Sequence, residues 1–215
     1  MRTIAVANPK GGSGKTTIAT CLAAHLCYEG YQVGLADLDP QRSASDWLAL
    51  RPDDYPAITE VADEGKGVRA PQGTDVLVID TPAALGGEML RNIIKRADTL
   101  LVPLVPSPID MRAGWRFLEH LLELKAIAKG ATRVGLIASR CQTRTVIYRE
   151  LTGFMEGFKF PFVAHLRETQ NYIRAAESGL GIADLPAWQA WQDWEEWEPL
   201  GHWLKSRASM PQKKR

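Results

Sequence analysis

Short aliphatic runs alternate along the chain with longer stretches whose apolar residues recur every three or four positions. Residues 3–7 read as a buried strand. Residues 16–29 read as a helix, with Ile18, Leu22 and Leu26 four apart and Gly30 closing it. A second strand is predicted at 33–36, then a short helix at 43–50 capped by Ser43, then a short strand at 58–62. Residues 65–73 read as a loop or a helical fragment. Further strands are predicted at 76–79, 99–105, 134–138 and 162–164. Helices fall between them at 89–96, 111–129 and 147–158, and a last one at 170–178 stops at Gly179. In the long helix at 111–129, Trp115, Leu118 and Leu122 share one face. Strands that alternate with helices and read as unbroken aliphatic runs imply an α/β fold: a doubly wound, mainly parallel sheet with helices on both faces. The expected layout is one domain over residues 1–185 with a C-terminal helical extension, 186–215, packed on it.

Composition changes this picture little. The chain has 215 residues, 45% hydrophobic and 24% charged, which is ordinary for a globular protein and excludes wholesale disorder. No apolar run reaches the roughly 18 residues of a spanning helix, and the N-terminus lacks a signal-peptide layout. Cys21, Cys27 and Cys141 match no metal or redox spacing, so a reducing cytoplasm is the expected home. Cys21 and His25 lie four apart on a predicted helix, but no third or fourth ligand follows, and helix packing explains them better.

Charge is informative only locally. The net charge of +1 announces no nucleic-acid binder. The tail, however, carries Lys205, Arg207, Lys213, Lys214 and Arg215 with no acid among them, just after an acidic cluster of Asp193, Glu195, Glu196 and Glu198. Trp188, Trp191, Trp194 and Trp197 recur every three residues. That stripe drifts around the helix and reads as a surface clamped onto the domain or onto a partner. Acids beside these aromatics argue against a membrane anchor.

The strongest signal is Asn8-Pro9-Lys10-Gly11-Gly12-Ser13-Gly14-Lys15-Thr16-Thr17, between a predicted strand and a predicted helix. Glycines let backbone N–H groups turn inward on a phosphate, and the following helix N-terminus adds its positive dipole end. Gly11, Gly12, Ser13, Gly14 and Thr17 would form this cradle. Lys15 would reach the β- and γ-phosphates, and Thr16 would offer its hydroxyl to Mg²⁺. The common G-x-x-x-x-G-K-[ST] loop has glycine where this chain has Pro9, and Lys10 is an additional lysine. Asp80 ends the strand at 76–79, where a carboxylate can bind Mg²⁺ directly or through water.

The string K-G-G-x-G-K-T-T resembles the deviant Walker A signature of the ParA/MinD family of P-loop ATPases. Asp37-Leu38-Asp39-Pro40-Gln41 is similar to that family's D-x-D-P-Q segment, and Val76–Pro82 to its Walker B strand. The proline-rich Val102–Asp110 resembles that of the short plasmid-partition type, and residues 169–185 are similar to the family's late helix and turn. The likeness covers roughly residues 1–185.

The resemblance implies the remaining roles. Lys10 would reach across a nucleotide-sandwich homodimer to the partner's phosphates, as an arginine finger does in trans. Asp39 would orient the attacking water and join Thr16 and Asp80 in holding the metal, while Asp37 would either support its loop or cap a strand end. Base contacts are expected near Pro106 and Arg140, past two strand ends. The cofactors implied are ATP and Mg²⁺. The function implied is ATP-driven dimerisation, non-specific DNA binding, and hydrolysis stimulated by a ParB-like or cargo-adaptor protein. Such a cycle segregates or positions a plasmid, a chromosome region or a protein cargo on the nucleoid, with no membrane involved. Arg144, Arg149, Arg167, Arg174 and the tail are the candidate DNA contacts. Two alternatives are a MinD-like membrane-cycling ATPase, which needs a basic amphipathic C-terminal helix, and a metabolic P-loop kinase or ligase.

Overall fold

The computed structural model describes residues 1–63 and 68–212. Part of the predicted loop at 65–73 and three tail cations, Lys213, Lys214 and Arg215, lie outside the described residues. Seven strands form one sheet: β1 (Arg2–Val6), β2 (Val33–Asp37), β3 (Ile58–Glu60), β4 (Val76–Asp80), β5 (Thr99–Leu104), β6 (Arg133–Cys141) and β7 (Phe162–Arg167). Their order is β3-β2-β4-β1-β5-β6-β7 and every pairing is parallel. β1 is the central strand, paired with β4 on one side and β5 on the other. Every residue of β4 and β5 is buried, which is why these strands read as unbroken apolar runs.

Period-two alternation splits the core between the two faces. Ile4 and Val6 of β1 join one cluster, and Ala5 joins the other. The first face is covered by α1 (Lys15–Tyr28), α2 (Ser43–Ala49), α7 (Gln170–Glu177) and α8 (Ala187–Lys205), through Ile18, Leu22, Trp47, Ala175, Trp197 and Leu200. The second is covered by α3 (Gly87–Arg96), α4 (Pro108–Glu123), α5 (Lys125–Ala128) and α6 (Val146–Glu156), through Leu90, Ile94, Phe117, Leu118, Ile127 and Leu151.

Two local expectations are corrected and a third, the tryptophan stripe, is narrowed. The helix predicted over 111–129 is two helices, because Leu124 adopts an extended conformation (ψ 124°) that lets Ile127 turn back onto the core. Its buried face is Gly114, Phe117, Leu118 and Leu121; Trp115 and Leu122 are exposed, and Trp115 packs edge-on against Phe158 with ring centroids 4.8 Å apart. Ser43 does not cap α2. Arg42 holds the cap position, and the Asp37 carboxylate accepts the Ala44 and Ser45 N–H groups at 2.8 and 2.9 Å. In the tryptophan stripe only Trp197 is buried, because a spacing of three drifts off the face that α8 turns inward. That face is Ala190, Asp193, Trp197, Leu200 and Leu204.

Polar contacts fix α8 in place. Asp193, fully buried, takes the Arg167 guanidinium at 2.7 Å and the Asn171 amide at 2.6 Å, and the Trp197 indole N–H donates to the Tyr172 hydroxyl. On the same face, the buried Arg51 of the α2–β3 connection pairs with Asp184 just after α7. Gly179 ends α7 with φ +66°, and a Cβ there would sit 2.4 Å from the Arg51 nitrogen, so no other residue fits. No helix among the described residues is long and apolar enough to cross a membrane.

Candidate nucleotide site

The loop from Asn8 to Gly14 leaves β1 and opens α1 at the carboxyl ends of the strands, where parallel sheets bind ligands. Asn8 is buried and pins the loop: its amide donates to the Pro103 carbonyl at 2.6 Å, and its side-chain oxygen accepts the Lys10 N–H at 2.8 Å. Ala84 clamps the other side, its N–H donating to the Pro9 carbonyl. Gly14 sits at the α1 N-cap with φ +89°, and a Cβ there would meet the Ser139 hydroxyl at 2.7 Å. No side chain caps α1. The N–H groups of Lys15, Thr16 and Thr17 therefore face the cleft without an intrahelical acceptor, at the positive end of the helix.

Behind this cradle lies a buried polar cluster. The Lys15 side chain is buried, its Nζ donates to the Lys10 carbonyl at 3.1 Å, and burial lowers its pKa against the opposing charges of Asp80 and Asp39. Asp80 is fully buried, and its Oδ2 accepts the Thr16 hydroxyl at 2.6 Å. Burial pushes the Asp80 carboxyl up to about 7, against the Thr16 hydrogen bond, with help from the charge of Asp37. Asp80 Oδ1 has no hydrogen-bond partner. A buried carboxylate oxygen left unpaired in an otherwise satisfied cluster is costly, unless something positive is to be bound there.

The cleft holds about 680 Å³. One wall is Gly11, Gly12, Gly14, Lys15, Thr16, Thr17 and Ile18. The other brings Asp39, Pro40 and Gln41 against Pro82 and Ala83, and the far end is Ser139, Arg140, Glu168, Thr169, Tyr172 and Ile173. Asp39 is placed by its neighbours: its N–H donates to Asp37 Oδ1 and its own Oδ1 accepts the Gln41 N–H. Asp37 thus both supports this loop and caps α2. Arg140, in the left-handed region at φ +55°, lines the cleft and pairs with Glu168 at 2.7 Å.

Four predicted residues lie off the cleft lining: Asp80, buried behind Thr16, and three others. Ser13 is buried beneath the loop, its hydroxyl donating to the Lys10 carbonyl. Lys10 points along the surface, with Nζ 3.9 Å from Asp110. Pro106, past the end of β5, does not reach the cleft. Among the candidate DNA contacts, Arg144, Arg149, Arg174 and Arg207 are exposed. Arg167 is instead committed to Asp193 and Gln192, and Lys205 to Glu29. Tyr172 belongs to the stretch 169–185 likened to the family's late helix and turn, whereas Ser139 and Glu168 carry no motif of their own. The rule that ligands gather at the carboxyl ends of parallel strands was the signal that could have found them.

Comparison with known proteins gives the chain a family and the same fold. The maintenance of carboxysome distribution protein A of Gloeobacter kilaueensis is 32% identical over 195 residues, covering 84% of this chain and 83% of that protein. The solved structure of a Cyanothece McdA variant in complex with ATP superposes with a TM-score of 0.72 at 19% identity, covering 94% of this chain and 96% of that one. Cobyrinic acid a,c-diamide synthase from Mycobacterium smegmatis, solved with an ATP analogue and magnesium, superposes with a TM-score of 0.67 at 22% identity, covering each chain fully. Residues 4–182 match the CobQ/CobB/MinD/ParA nucleotide binding domain, and the chain belongs to that family.

Proposed function

We propose that this protein is a ParA-type positioning ATPase that binds ATP with Mg²⁺, dimerises in that state, binds DNA without sequence preference and resets by hydrolysis. The observation that carries the reading is the pairing of an uncapped, two-lysine glycine loop with a buried Asp80–Thr16 couple whose Oδ1 lacks a partner. Mg²⁺ fits this donor set, because it prefers one or two oxygens from the protein with the remainder from phosphates and water. It would supply charge neutralisation on the phosphates.

The chain's own residues do the rest. The first-turn N–H groups of α1 and the Lys15 ammonium hold the phosphates, and Thr16 and Asp80 hold the metal. Asp39, fixed through Asp37, orients water at the lip of the cleft. Arg140 and Glu168 border the end left for the base, while Pro106 lies outside it. Lys10, free of the cleft in one copy, serves the phosphates of a second copy, so dimerisation and turnover depend on each other. ATP-bound pairs align exposed cations such as Arg144, Arg149 and Arg174 on DNA, and a ParB-like or cargo-adaptor protein stimulates hydrolysis and release on the nucleoid. A carboxysome-type cargo suits the name of the Gloeobacter kilaueensis relative, and a plasmid-type cargo the likeness to the short plasmid-partition type.

The test is DNA binding with ATP and with ADP across a salt series. Binding is expected with ATP only and to weaken steeply with salt. Equal affinity in both nucleotide states overturns the switch. The membrane-cycling alternative wants a basic amphipathic helix, whereas α8 turns acids and tryptophans outward.

A further inference from the structure

α8 presents a second surface that nucleotide chemistry does not use. Trp188 is 82% exposed and Trp191 51%, although tryptophan is among the side chains most buried on average. With 3.6 residues per turn, Trp188, Trp191, Glu195 and Glu198 fall within about 80° of arc, roughly opposite the buried stripe of α8. Glu195 and Glu198 are exposed, and among the described residues neither makes an ion pair or hydrogen bond. The neighbouring polar groups are already committed: Arg167 to Asp193, the Glu196 carboxylate to the Arg167 N–H, and the Trp194 indole to the Ile182 carbonyl. Since Trp197, Leu200 and Asp193 lock the other side, α8 cannot roll to hide these tryptophans.

We infer that this outward face of α8 docks an arginine- or lysine-rich segment of a partner protein. Indole faces attract cations and bury the aliphatic stems of Arg and Lys, while unneutralised carboxylates interleaved at helical spacing supply the charge complement. The same carboxylates repel nucleic acid and anionic lipid. A locked helix offers the surface ready formed, so little order is lost on binding. The inference deepens the proposed function by giving the stimulating partner a landing site, and it rests on that reading for its biological role alone.

The test uses the full chain and a fluorescein-labelled peptide of alternating Arg and Ala, followed by anisotropy. A control peptide replaces each Arg by citrulline. Saturable binding that weakens with salt is expected, with the citrulline peptide failing. Trp188→Ala/Trp191→Ala should weaken binding about tenfold. Glu195→Gln/Glu198→Gln should weaken it and flatten the salt dependence, while Trp188→Phe/Trp191→Phe should retain most of it. All four residues are exposed, so folding should survive; the melting temperature of each variant checks this. Unchanged affinity in both double variants overturns the assignment, as does equal binding of the citrulline peptide. So does a wild-type dimer, seen by sedimentation, that Trp188→Ala/Trp191→Ala dissolves, because a second copy would then own the face. ATP affinity is measured in parallel: its absence in the wild type would sink the nucleotide reading and leave the peptide result standing.

Discussion

The two ends of the sheet treat polar groups in opposite ways. At the amino ends of the strands, polar groups are closed onto one another by the end of α8 and the turn that follows it. The Arg2 guanidinium reaches the Leu204 carbonyl, the Thr99 hydroxyl and the Ser209 carbonyl, Thr99 also donates to Ser209, and Asp98 accepts the Thr3 N–H. At the carboxyl ends the corresponding groups are held in place and left open: the uncapped start of α1, Asp80 Oδ1, and an ammonium on Lys15 that burial makes expensive. Arg2 Nε lacks a partner too, but its guanidinium bonds through both other nitrogens. One end spends its hydrogen bonds on the fold, and the other keeps them for a ligand.

Lys15→Ala should break the open end alone and is the largest effect expected. Removing a buried charged donor from a phosphate site should lower ATP affinity on the order of 100-fold or more. Thermal stability without nucleotide should change little, because removing a desolvated lysine is offset by the charge that Asp80 and Asp39 lose beside them. Calorimetric titration and a melting curve read both. A variant that loses stability while still binding ATP would reverse the roles given to the two ends.

Arg2→Ala should break the closed end. It takes one of two side-chain donors from each of the Leu204 and Ser209 carbonyls, which keep the Ser209 and Thr99 hydroxyls, at a cost of about 1.5–3 kcal/mol. Urea denaturation measures it, and ATP affinity in native buffer should stay at the wild-type value. Parallel loss of both would mean the two ends are one cooperative unit.

A smaller effect sharpens the role of Lys10. Its contact with Asp110 is 3.9 Å long and partly exposed, worth at most about 1 kcal/mol. Asp110→Asn should leave stability nearly unchanged and free the ammonium, tightening ATP-dependent self-association by a few-fold at most, as sedimentation would show. No change in self-association would leave the Asp110 pair without influence on Lys10.

The contrast between the ends was only partly legible beforehand. The open end announced itself, because phosphate binding constrains consecutive residues: the glycines, Lys15 and Thr16 lie within one short stretch, and the carboxylate of Asp80 closes an unbroken aliphatic strand. The closed end left no such trace. Arg2, Thr99 and Ser209 are far apart in sequence and unremarkable alone; the parallel pairing of β1 with β5 brings the first two together, and the turn after α8 adds Ser209. Helix detail failed for a related reason. Ser43 is an ordinary N-cap residue, but the Asp37 carboxylate, six residues earlier, already satisfies those N–H groups. The break at Leu124 and the inward face of α8 were set by tertiary packing, which a periodicity of three in the tryptophans could not convey.

The smallest effect probes how α8 is seated on α1, near the closed end. His25 is packed near Trp197, ring centroids 6.4 Å apart, and within reach of Glu29, which Lys205 also holds. Burial lowers the His25 pKa below its ordinary 6.5; Glu29 works against that shift and Lys205 with it. A histidine whose folded pKa is depressed is kept neutral by the fold, so its contribution is complete above the unfolded value. It is lost as pH falls through 6.5 toward the folded pKa, because the unfolded chain takes up the proton first. Wild-type stability should therefore decline more on mild acidification than that of His25→Gln, which has no proton to gain. Paired urea curves in mildly alkaline and mildly acidic buffer give the difference, and the Glu29–Lys205 pair, unchanged between the two proteins, cancels in it. Parallel pH profiles would show that His25 is not held neutral in the fold, and that the α1–α8 contact does not sense protons at all.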